Sequence, residues 1–405
     1  MADQRPFLPY GRQSIDDDDI EAVADVLRSD FLTTGPVVEA FEAKLAEVTG
    51  AAHAISVSSG TAALHLAGVA LDLEPDDLVV VPSMTFLASA NTAIYGGAEV
   101  QFADVDPRTG LLTADTLTQA LARAGNRAKA VVPVHINGQT ADMAAIGEVA
   151  SRTGLAVIED ACHALGGSQA RADGTLTPIG SCPHSLMSVF SFHPVKTIAM
   201  GEGGAITTND PNVAARLRIL RNIGMTRDPT AFQLPEQAFA ADGTPNPWYY
   251  EMPVLGFNYR ASAIHCGLGL SQLKKLNQFV EKRARLLAHY HDKLAPLAPM
   301  VEPLAAVPGG WPAWHLAVVR IDFAQAGISR AEVMRALHAR GIGTQVHYIP
   351  VHRQPFYRQR YGDLHLPGAD AYYERILTLP LFESMEPDDV DYVVTQLAAV
   401  LGTAP

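Results

Sequence analysis

The segment with the clearest chemical potential is SVFSFHPVKTIAMGEGG, at residues 188–204. Lys196 lies there after a predicted strand, among apolar residues and ahead of a glycine-bearing turn. Because desolvation disfavours the ammonium form, such a lysine can become a neutral nucleophile toward an aldehyde. The alternative is a surface lysine whose stem covers a loop. That alternative leaves the nearby glycines, which permit close approach of the backbone, unexplained.

A carboxylate and a histidine follow another apolar strand, in IEDACHALGG at residues 158–167. The strand ends in Glu159 and Asp160, and His163 comes three residues after Asp160. A buried carboxylate needs a partner, and a protonated pyridine nitrogen would be one. An aspartate that caps a turn, beside a hydrogen-bonded core histidine, explains the same residues equally well at this point.

Two further loops offer groups for a phosphate and for an aromatic ring. The sequence SSGT at 58–61 precedes a helical stretch, where free N–H groups and a hydroxyl can bind phosphate, and Ser191 offers another hydroxyl. Phe86, in PSMTF after a strand, could stack on an aromatic ring. An ordinary helix cap and a core phenylalanine are the plain alternatives. With Lys196 and Asp160, these groups make the set that a pyridoxal-phosphate (PLP) site needs.

The elements that must position these residues are short apolar runs alternating with helical stretches. The runs lie at 54–58, 78–82, 100–105, 129–134, 155–160, 186–192 and 204–208. This alternation predicts a largely parallel sheet with helices on both faces. Ligands of such sheets bind outside the carboxyl ends of the strands, where every candidate above falls.

The remaining chain predicts an N-terminal helix capped by Ser14 and a second, smaller unit. A long helix is predicted from Ser262 to about Leu294, followed by a strand at 315–321, a helix at 329–340 and a last helix after Pro387. A further strand is predicted around TQVHY (344–348). We therefore expect a large domain with an N-terminal helical arm at 1–262 and a small α+β domain at 263–405.

Composition narrows the class of protein. The chain has 405 residues, a formal net charge of −13 and three cysteines without a CxxC pair. The acidic balance argues against nucleic acid as a main partner. The cysteines, the start MADQRPFLPYGRQS and the absence of a long apolar run predict a cytoplasmic protein without a signal peptide or membrane partner.

Several segments resemble, in order, the signatures of the DegT/DnrJ/EryC1/StrS family of PLP-dependent sugar aminotransferases: SSGTAALH, PSMTF, EDACH, FSFHPVK, GEGG and GFNYR. The resemblance spans residues 10–275 and continues through WHLAVVRI and GIGTQVHYIPVH. It implies the α/β architecture of PLP fold type I, a mostly parallel sheet flanked by helices, with a smaller C-terminal α+β domain. It also implies a homodimer with shared active sites.

The resemblance also assigns roles. Lys196 would bind PLP as a Schiff base and shuttle protons, Asp160 would pair with the pyridinium nitrogen, and His163 would lie near the phenolic oxygen, where many members carry Gln. The other cofactor contacts would be Gly60, Thr61, Phe86, Ser191 and, from the second subunit, Asn258. The substrate contacts would be Tyr10, Thr33, His193, His315, His347 and Tyr348.

The reaction follows from Lys196, because family members that dehydrate sugars carry His at that position. Lysine implies transamination, in which L-glutamate converts PLP to pyridoxamine phosphate and a 4-keto-sugar nucleotide takes up the amino group. The segments YGRQSIDDDDI, LTTGP, CHALGG, GLGLSQLKK and QVHYIPVH resemble the pseudaminic acid branch of the family, which aminates UDP-2-acetamido-2,6-dideoxy-β-L-arabino-hexos-4-ulose. A dTDP- or GDP-linked keto-sugar is the alternative.

Rival functions find less support in the sequence. A cysteine desulfurase or other PLP lyase needs a reactive thiol, but Cys162 adjoins the Asp160 strand end and Cys182 lacks a basic sequence neighbour. A regulator would need an attached DNA-binding segment, which the sequence does not suggest. No metal is expected, because His347 and His352 are spaced i, i+5 across Pro350 and lack the helical zinc-motif spacing.

Overall fold

The computed structural model describes residues 5–171 and 173–403. The strands are β1 His53–Val57, β2 Leu78–Pro82, β3 Glu99–Ala103, β4 Ala128–Val131, β5 Ala156–Asp160, β6 Ser168–Ala170, β7 Leu176–Pro178, β8 Met187–Ser191, β9 Gly204–Thr208, β10 Val301–Pro303, β11 Gly310–Trp311, β12 Ala317–Ile321 and β13 Ile376–Leu379. The helices are α1 Asp17–Arg28, α2 Pro36–Thr49, α3 Gly60–Ala70, α4 Leu87–Tyr95, α5 Ala114–Ala124, α6 Met143–Thr153, α7 Pro211–Arg221, α8 Pro235–Ala238, α9 Ala263–Lys274, α10 Leu276–Leu294, α11 Phe323–Ala326, α12 Arg330–His338, α13 Pro355–Tyr361, α14 Pro367–Arg375 and α15 Pro387–Val400.

A seven-stranded sheet forms the centre, in the order β1-β9-β8-β5-β4-β2-β3. The strands β8, β5, β4, β2 and β3 pair in parallel, whereas β9 runs antiparallel to both of its neighbours. Every residue of β2 and β9 is buried, as expected for strands that are covered on both faces. The predicted α/β fold class is therefore confirmed, with one reversed strand that apolar runs alone do not reveal.

The N-terminal helix begins two residues later than Ser14 predicts. Asp16 is the N-cap: its side chain accepts a hydrogen bond from the Asp19 N–H, and the Asp19 side chain accepts one from the Asp16 N–H. This reciprocal capping box satisfies two free N–H groups at once. A serine hydroxyl at position 14 does not do so.

The long helix predicted from Ser262 is two helices, α9 and α10, separated by Lys275. The Lys275 N–H bonds to the Gln272 carbonyl, a three-residue spacing that interrupts the four-residue helical pattern. Its ammonium group contacts the carboxylates of Asp16 and Asp19 at 2.7 and 2.6 Å. The break therefore lies where the helix is joined to α1.

The C-terminal region contains an antiparallel sheet, β10-β12-β13, covered by α10, α12 and α15 around a second apolar cluster. The predicted strand at TQVHY is wrong: Gln345 and Thr378 form a single bridge, after which His347 and Tyr348 turn toward a cavity. Leu8 packs into this same cluster and pairs with Ile342, so the arm before α1 lies on the C-terminal region.

The domain boundaries at 1–262 and 263–405 stay a prediction, and residues 1–4, 172, 404 and 405 lie outside the described part of the chain. Within that part, none of the helices combines the length and apolar character needed to cross a bilayer.

Candidate active site

A cavity of about 330 Å³ lies where β5 and β8 end. Twelve of the predicted site residues line it: Tyr10, Gly60, Thr61, Phe86, Asp160, His163, Ser191, His193, Lys196, His315, His347 and Tyr348. Thr33 and Asn258 are exposed and do not line it. Asn258 was expected to act from a second subunit, and its role and that of Thr33 stay predictions.

Lys196 follows β8 in a turn closed by its backbone N–H, which donates to the His193 carbonyl at 2.8 Å. Its side chain reaches the cavity, where no described residue accepts a hydrogen bond from the amino group. Burial lowers the pKa of Lys196, and the charge of Arg283 lowers it further, against the opposing effects of Cys162 and Asp160. The amine is thus more readily deprotonated than a surface lysine, which a nucleophile or general base requires.

Asp160 ends β5 and is buried beside the same cavity. One carboxylate oxygen accepts from the Ser89 hydroxyl at 2.6 Å, and the other accepts from the Cys162 N–H at 3.2 Å. Both donors are uncharged, and among the described residues no basic side chain forms an ion pair with this carboxylate. A buried carboxylate of this kind favours a cationic ligand, because pairing offsets the loss of hydration.

The start of α3 lies directly against the end of β8. Ser59 caps the helix, its hydroxyl accepting from the Ala62 N–H at 3.1 Å, and Gly60 follows as the first helical residue. A Cβ at Gly60 would lie 2.7 Å from the Ser191 Cβ, so only glycine lets the two segments approach this closely. The helix N-terminus, with the hydroxyls of Thr61 and Ser191 beside it, suits an anionic group.

Replacing Gly60 with alanine should push α3 away from Ser191 and weaken phosphate binding. Overpacking of this kind costs about 1–3 kcal/mol, so we expect PLP affinity to fall by about 10- to 100-fold. Fluorescence titration of the apoprotein with PLP measures this. The Gly60→Ala/Ser191→Gly double variant should bind PLP no worse than Ser191→Gly alone. A Gly60→Ala variant with unchanged affinity would contradict the close-packing argument.

His163 is held in one tautomer by its neighbours. Its Nδ1 accepts from the Asn137 N–H at 3.2 Å, so in the neutral ring the proton is on Nε2, which lies 3.1 Å from the Tyr348 hydroxyl. Burial holds the pKa of His163 well below its usual value, and the charges of Lys196 and His347 lower it further. His163 is therefore a neutral N–H donor that faces the cavity.

If that donor is what position 163 contributes, His163→Gln should retain most of the activity and His163→Leu should lose it. A hydrogen bond to a charged oxygen contributes about 1.5–3 kcal/mol, so the Leu variant should react about 10- to 100-fold more slowly. Stopped-flow absorbance after mixing with glutamate measures the rate. His365→Leu, at an exposed histidine, is the control. Equal rates for the Leu variant and the wild type would rule this role out.

A further stretch of the cavity wall is formed by Tyr10, His315, His347 and Tyr348. His315 packs on His163 with ring centroids 4.5 Å apart, and Tyr10 lies 5.2 Å from His347. Burial lowers the pKa of His347 to about 3, with Lys196 adding to the effect, and burial raises the pKa values of Tyr10 and Tyr348. This wall offers neutral hydrogen-bonding groups, which can bind hydroxyl groups of a ligand.

PLP fits this arrangement. Asp160 lacks a cationic partner within the described chain, the Gly60–Ser191 contact forms an anion cradle, and Lys196 has a free amine. Phe86 occupies the N-cap position of α4 and lines the cavity, and the residue is 53 % exposed, so it can stack on another ring. The positions of these four groups agree with the roles that the resemblance implies, and the roles stay predictions.

Two supporting residues were missed by sequence reasoning. Ser89 bonds to Asp160 and also to the Thr85 hydroxyl at 2.7 Å, so it orients the carboxylate. Asn137, with φ of 64°, fixes His163 and accepts from the His315 N–H at 3.0 Å. The Asn-Gly pair at 137–138 was the available signal, since that dipeptide favours left-handed turns.

The cysteines do not offer a reactive thiol. Burial and the neighbouring Asp160 raise the pKa of Cys162 well above its ordinary value, and burial raises that of Cys182 to about 11. His347 and His352 bond to different partners, Thr378 and Ser83. Neither feature supports the lyase or metal alternatives.

Comparisons with known proteins identify the family of the chain. The model of the DegT/DnrJ/EryC1/StrS aminotransferase family matches residues 13–398. The spore coat polysaccharide biosynthesis protein SpsC of Bacillus subtilis (strain 168) is 38 % identical over 391 residues, 96 % of this chain and 95 % of that protein. The chain therefore belongs to the DegT/DnrJ/EryC1/StrS aminotransferase family.

Solved structures with the same fold include a putative sugar aminotransferase, Spr1654 from Streptococcus pneumoniae. Its PLP-form has a TM-score of 0.85 and 26 % identity, with 98 % of this chain and 99 % of that chain covered, and a PMP-form is equally similar. Helicobacter pylori PseC, an aminotransferase involved in the biosynthesis of pseudoaminic acid, has a TM-score of 0.86 and 26 % identity, with 98 % of this chain and 99 % of that chain covered. The chain is a PLP-dependent sugar aminotransferase, as the resemblance implied.

Proposed function

We propose that this family member transfers the amino group of L-glutamate to C4 of a nucleotide-linked 4-keto-6-deoxy sugar. The proposed acceptor is UDP-2-acetamido-2,6-dideoxy-β-L-arabino-hexos-4-ulose, in a pseudaminic-acid type of biosynthesis. The observation that carries the amino-transfer reaction is the convergence of the Lys196 amine and the Asp160 carboxylate on one cavity, each without an ionic partner among the described residues.

The residues of this chain would hold and orient the cofactor. PLP supplies, when bound, a pyridine ring that withdraws electrons from the carbon next to the amino nitrogen. Asp160 would keep the ring nitrogen protonated, and Ser89 would hold Asp160 in place. His163 would donate its Nε2–H to the phenolic oxygen, and Gly60 and Ser191 would position the phosphate.

Lys196 would move the proton in both half-reactions. Its amine is neutral more often than an ordinary lysine because burial lowers its pKa, so it can take a proton from the substrate carbon. The resulting ammonium is stabilised by the negative charge of Asp160, which acts in the opposite direction on the same pKa. These opposed effects suit a group that must act as base and then as acid.

The identity of the sugar rests on sequence resemblance and on the likeness to a solved structure. The segments that resemble the pseudaminic acid branch and the likeness to PseC favour the UDP-linked sugar. SpsC, whose name places it in spore coat polysaccharide biosynthesis, shares more identity with this chain than PseC does. Apolar differences between sugars change binding by about 1–3 kcal/mol each, so related keto-sugars can share one pocket. The dTDP- and GDP-linked keto-sugars are the alternatives to test.

A homodimer with shared active sites is part of the proposal. Asn258 lies beside a surface with large exposed apolar side chains, among them Trp248 and Leu255, which are 71 % and 79 % exposed. Apolar side chains of this size favour burial against a protein partner. A second subunit on this surface would bring its Asn258 toward the cavity of the first, and light scattering in solution would detect the dimer.

A screen of 4-keto-sugar nucleotides tests the proposed acceptor. The protein is first converted to its pyridoxamine form with glutamate, and each UDP-, dTDP- or GDP-linked sugar is then scored by recovery of the visible absorbance. We expect the fastest recovery with the UDP-linked arabino-hexos-4-ulose. Faster recovery with a dTDP- or GDP-linked sugar would reject this acceptor while leaving the amino-transfer reaction in place.

A further inference from the structure

Arg283 lies on α10 with its side chain 0 % exposed, yet it does not line the cavity. Its Nε contacts the Glu383 carboxylate at 2.5 Å, and its Nη1 donates to the carbonyl oxygens of His315 and Leu381 at 2.9 and 3.2 Å. Its Nη2 has no hydrogen-bond partner among the described residues. Burying an ion pair in this way contributes little stability compared with apolar side chains of similar volume. Stability alone therefore does not explain why an arginine is buried at this position.

One of the two carbonyls that Arg283 holds belongs to a residue of the cavity wall. The His315 N–H donates to the Asn137 carbonyl at 3.0 Å, while its own carbonyl accepts from Arg283. The backbone N–H of His315 is thus held by the turn that also orients His163, and its carbonyl is held by α10. The ring of His315 then lies against His163 on the cavity side.

The second carbonyl leads to another residue of the same wall. The Leu381 N–H donates to the Tyr10 carbonyl at 3.0 Å, and the Leu381 carbonyl accepts from Arg283. Tyr10 belongs to the arm before α1. Two residues earlier the Leu8 backbone bonds to Gly341 and Gly343, and among the described residues the Leu381 N–H is the backbone partner of Tyr10 itself. Arg283 therefore reaches His315 directly and Tyr10 through one residue, Leu381.

We propose that Arg283 is a positioning residue that sets the sugar-facing wall of the cavity by holding the segments that carry His315 and Tyr10. This inference rests on the proposed amino transfer to a sugar. The cofactor-facing group Asp160 ends β5 and Lys196 lies in the turn after β8, and neither receives a hydrogen bond from Arg283. Arg283 acts on Lys196 only through its charge, which is the weakest of the effects on that amine and which Arg283→Lys retains. Loss of Arg283 therefore impairs use of the large sugar nucleotide more than the reaction with the small amino donor.

Two variants and one control test this on the PLP-bound protein. Arg283→Lys keeps the charge but loses the forked donors. The Arg283→Met/Glu383→Gln double variant removes both charges, so no buried carboxylate is left unpaired. Arg285→Met, on the same helix at a residue whose side chain is 66 % exposed, is the matched control. The two half-reactions are measured separately, with glutamate and with the keto-sugar nucleotide that the wild type uses.

We expect the sugar KM to rise about tenfold or more in both Arg283 variants, with the glutamate half-reaction within about threefold of the wild type. The control should match the wild type in both. An unchanged sugar KM, or an equal fall of both half-reactions together with loss of PLP affinity, would overturn the inference. If the Arg283 variants do not fold, Glu383→Gln should still raise the sugar KM by about threefold, and no change there would overturn it too. A wild type that aminates no sugar would instead refute the proposed function.

Discussion

Replacing Lys196 with alanine should abolish the covalent attachment of PLP and slow amino transfer by about 10³-fold or more. The variant loses both the nucleophile that binds the cofactor and the general base, and general acid–base catalysis alone contributes about 10²- to 10⁴-fold. Asp160, His163 and the Gly60–Ser191 cradle remain, so we expect PLP still to bind, but without a covalent bond.

Borohydride reduction followed by mass spectrometry measures this expectation. In the wild type, reduction should fix the cofactor mass on the peptide that contains Lys196, and the Lys196→Ala protein should carry no added mass. Lys274→Ala, at an exposed lysine at the end of α9, is the control and should be labelled like the wild type. Labelling of another lysine in the Lys196→Ala protein, with activity preserved, would show that the assignment is wrong.

The second large effect is expected for Asp160→Asn, which keeps the shape of the side chain but removes its charge. Losing one partner of a buried charged pair costs about 3–5 kcal/mol, so the rate with glutamate should fall by about 10²- to 10³-fold or more. Ser89→Ala removes only the 2.6 Å hydrogen bond to Asp160, so its rate with glutamate should fall by about tenfold. Stopped-flow absorbance measures both rates.

Thermal unfolding gives an independent measurement of the same pairing. In the wild type, Asp160 is a buried carboxylate without a basic partner in the described chain, so PLP should raise the melting temperature strongly. In Asp160→Asn the increase should be smaller, because the amide cannot form the ion pair. If PLP stabilises both proteins equally, the carboxylate does not pair with the cofactor.

The residues at strand ends could be predicted because one short stretch of sequence shows both the polar side chain and the apolar run that ends there. Asp160 and Ser191 each end an apolar run, and parallel neighbouring strands bring such ends together. Gly60 and Phe86 follow their strands in the same way. The sheet order, the reversed β9 and the β6–β7 hairpin could not be predicted, because pairing between strands depends on contacts that no single run encodes.

The residues that support the site were not predictable for the same reason. Arg283 acts on His315 and Leu381, which are 32 and 98 residues away along the chain. Its position in the sequence, inside a helix rich in basic residues, indicates a solvated face rather than a buried guanidinium. The strand predicted at 344–348 was wrong because the alternating pattern there reflects side chains that line the cavity wall, and not a strand in a sheet.

The most direct test of amino transfer follows a nitrogen label from donor to product. The PLP-bound protein is incubated with ¹⁵N-labelled L-glutamate and the 4-keto-sugar nucleotide, and the sugar nucleotide is analysed by mass spectrometry. We predict an aminated sugar nucleotide that carries the label, formed together with 2-oxoglutarate, and about 10³-fold slower formation or none with the Lys196→Ala protein. A sugar nucleotide that loses water without gaining labelled nitrogen, or labelled product formed by the Lys196→Ala protein at the wild-type rate, would contradict this account.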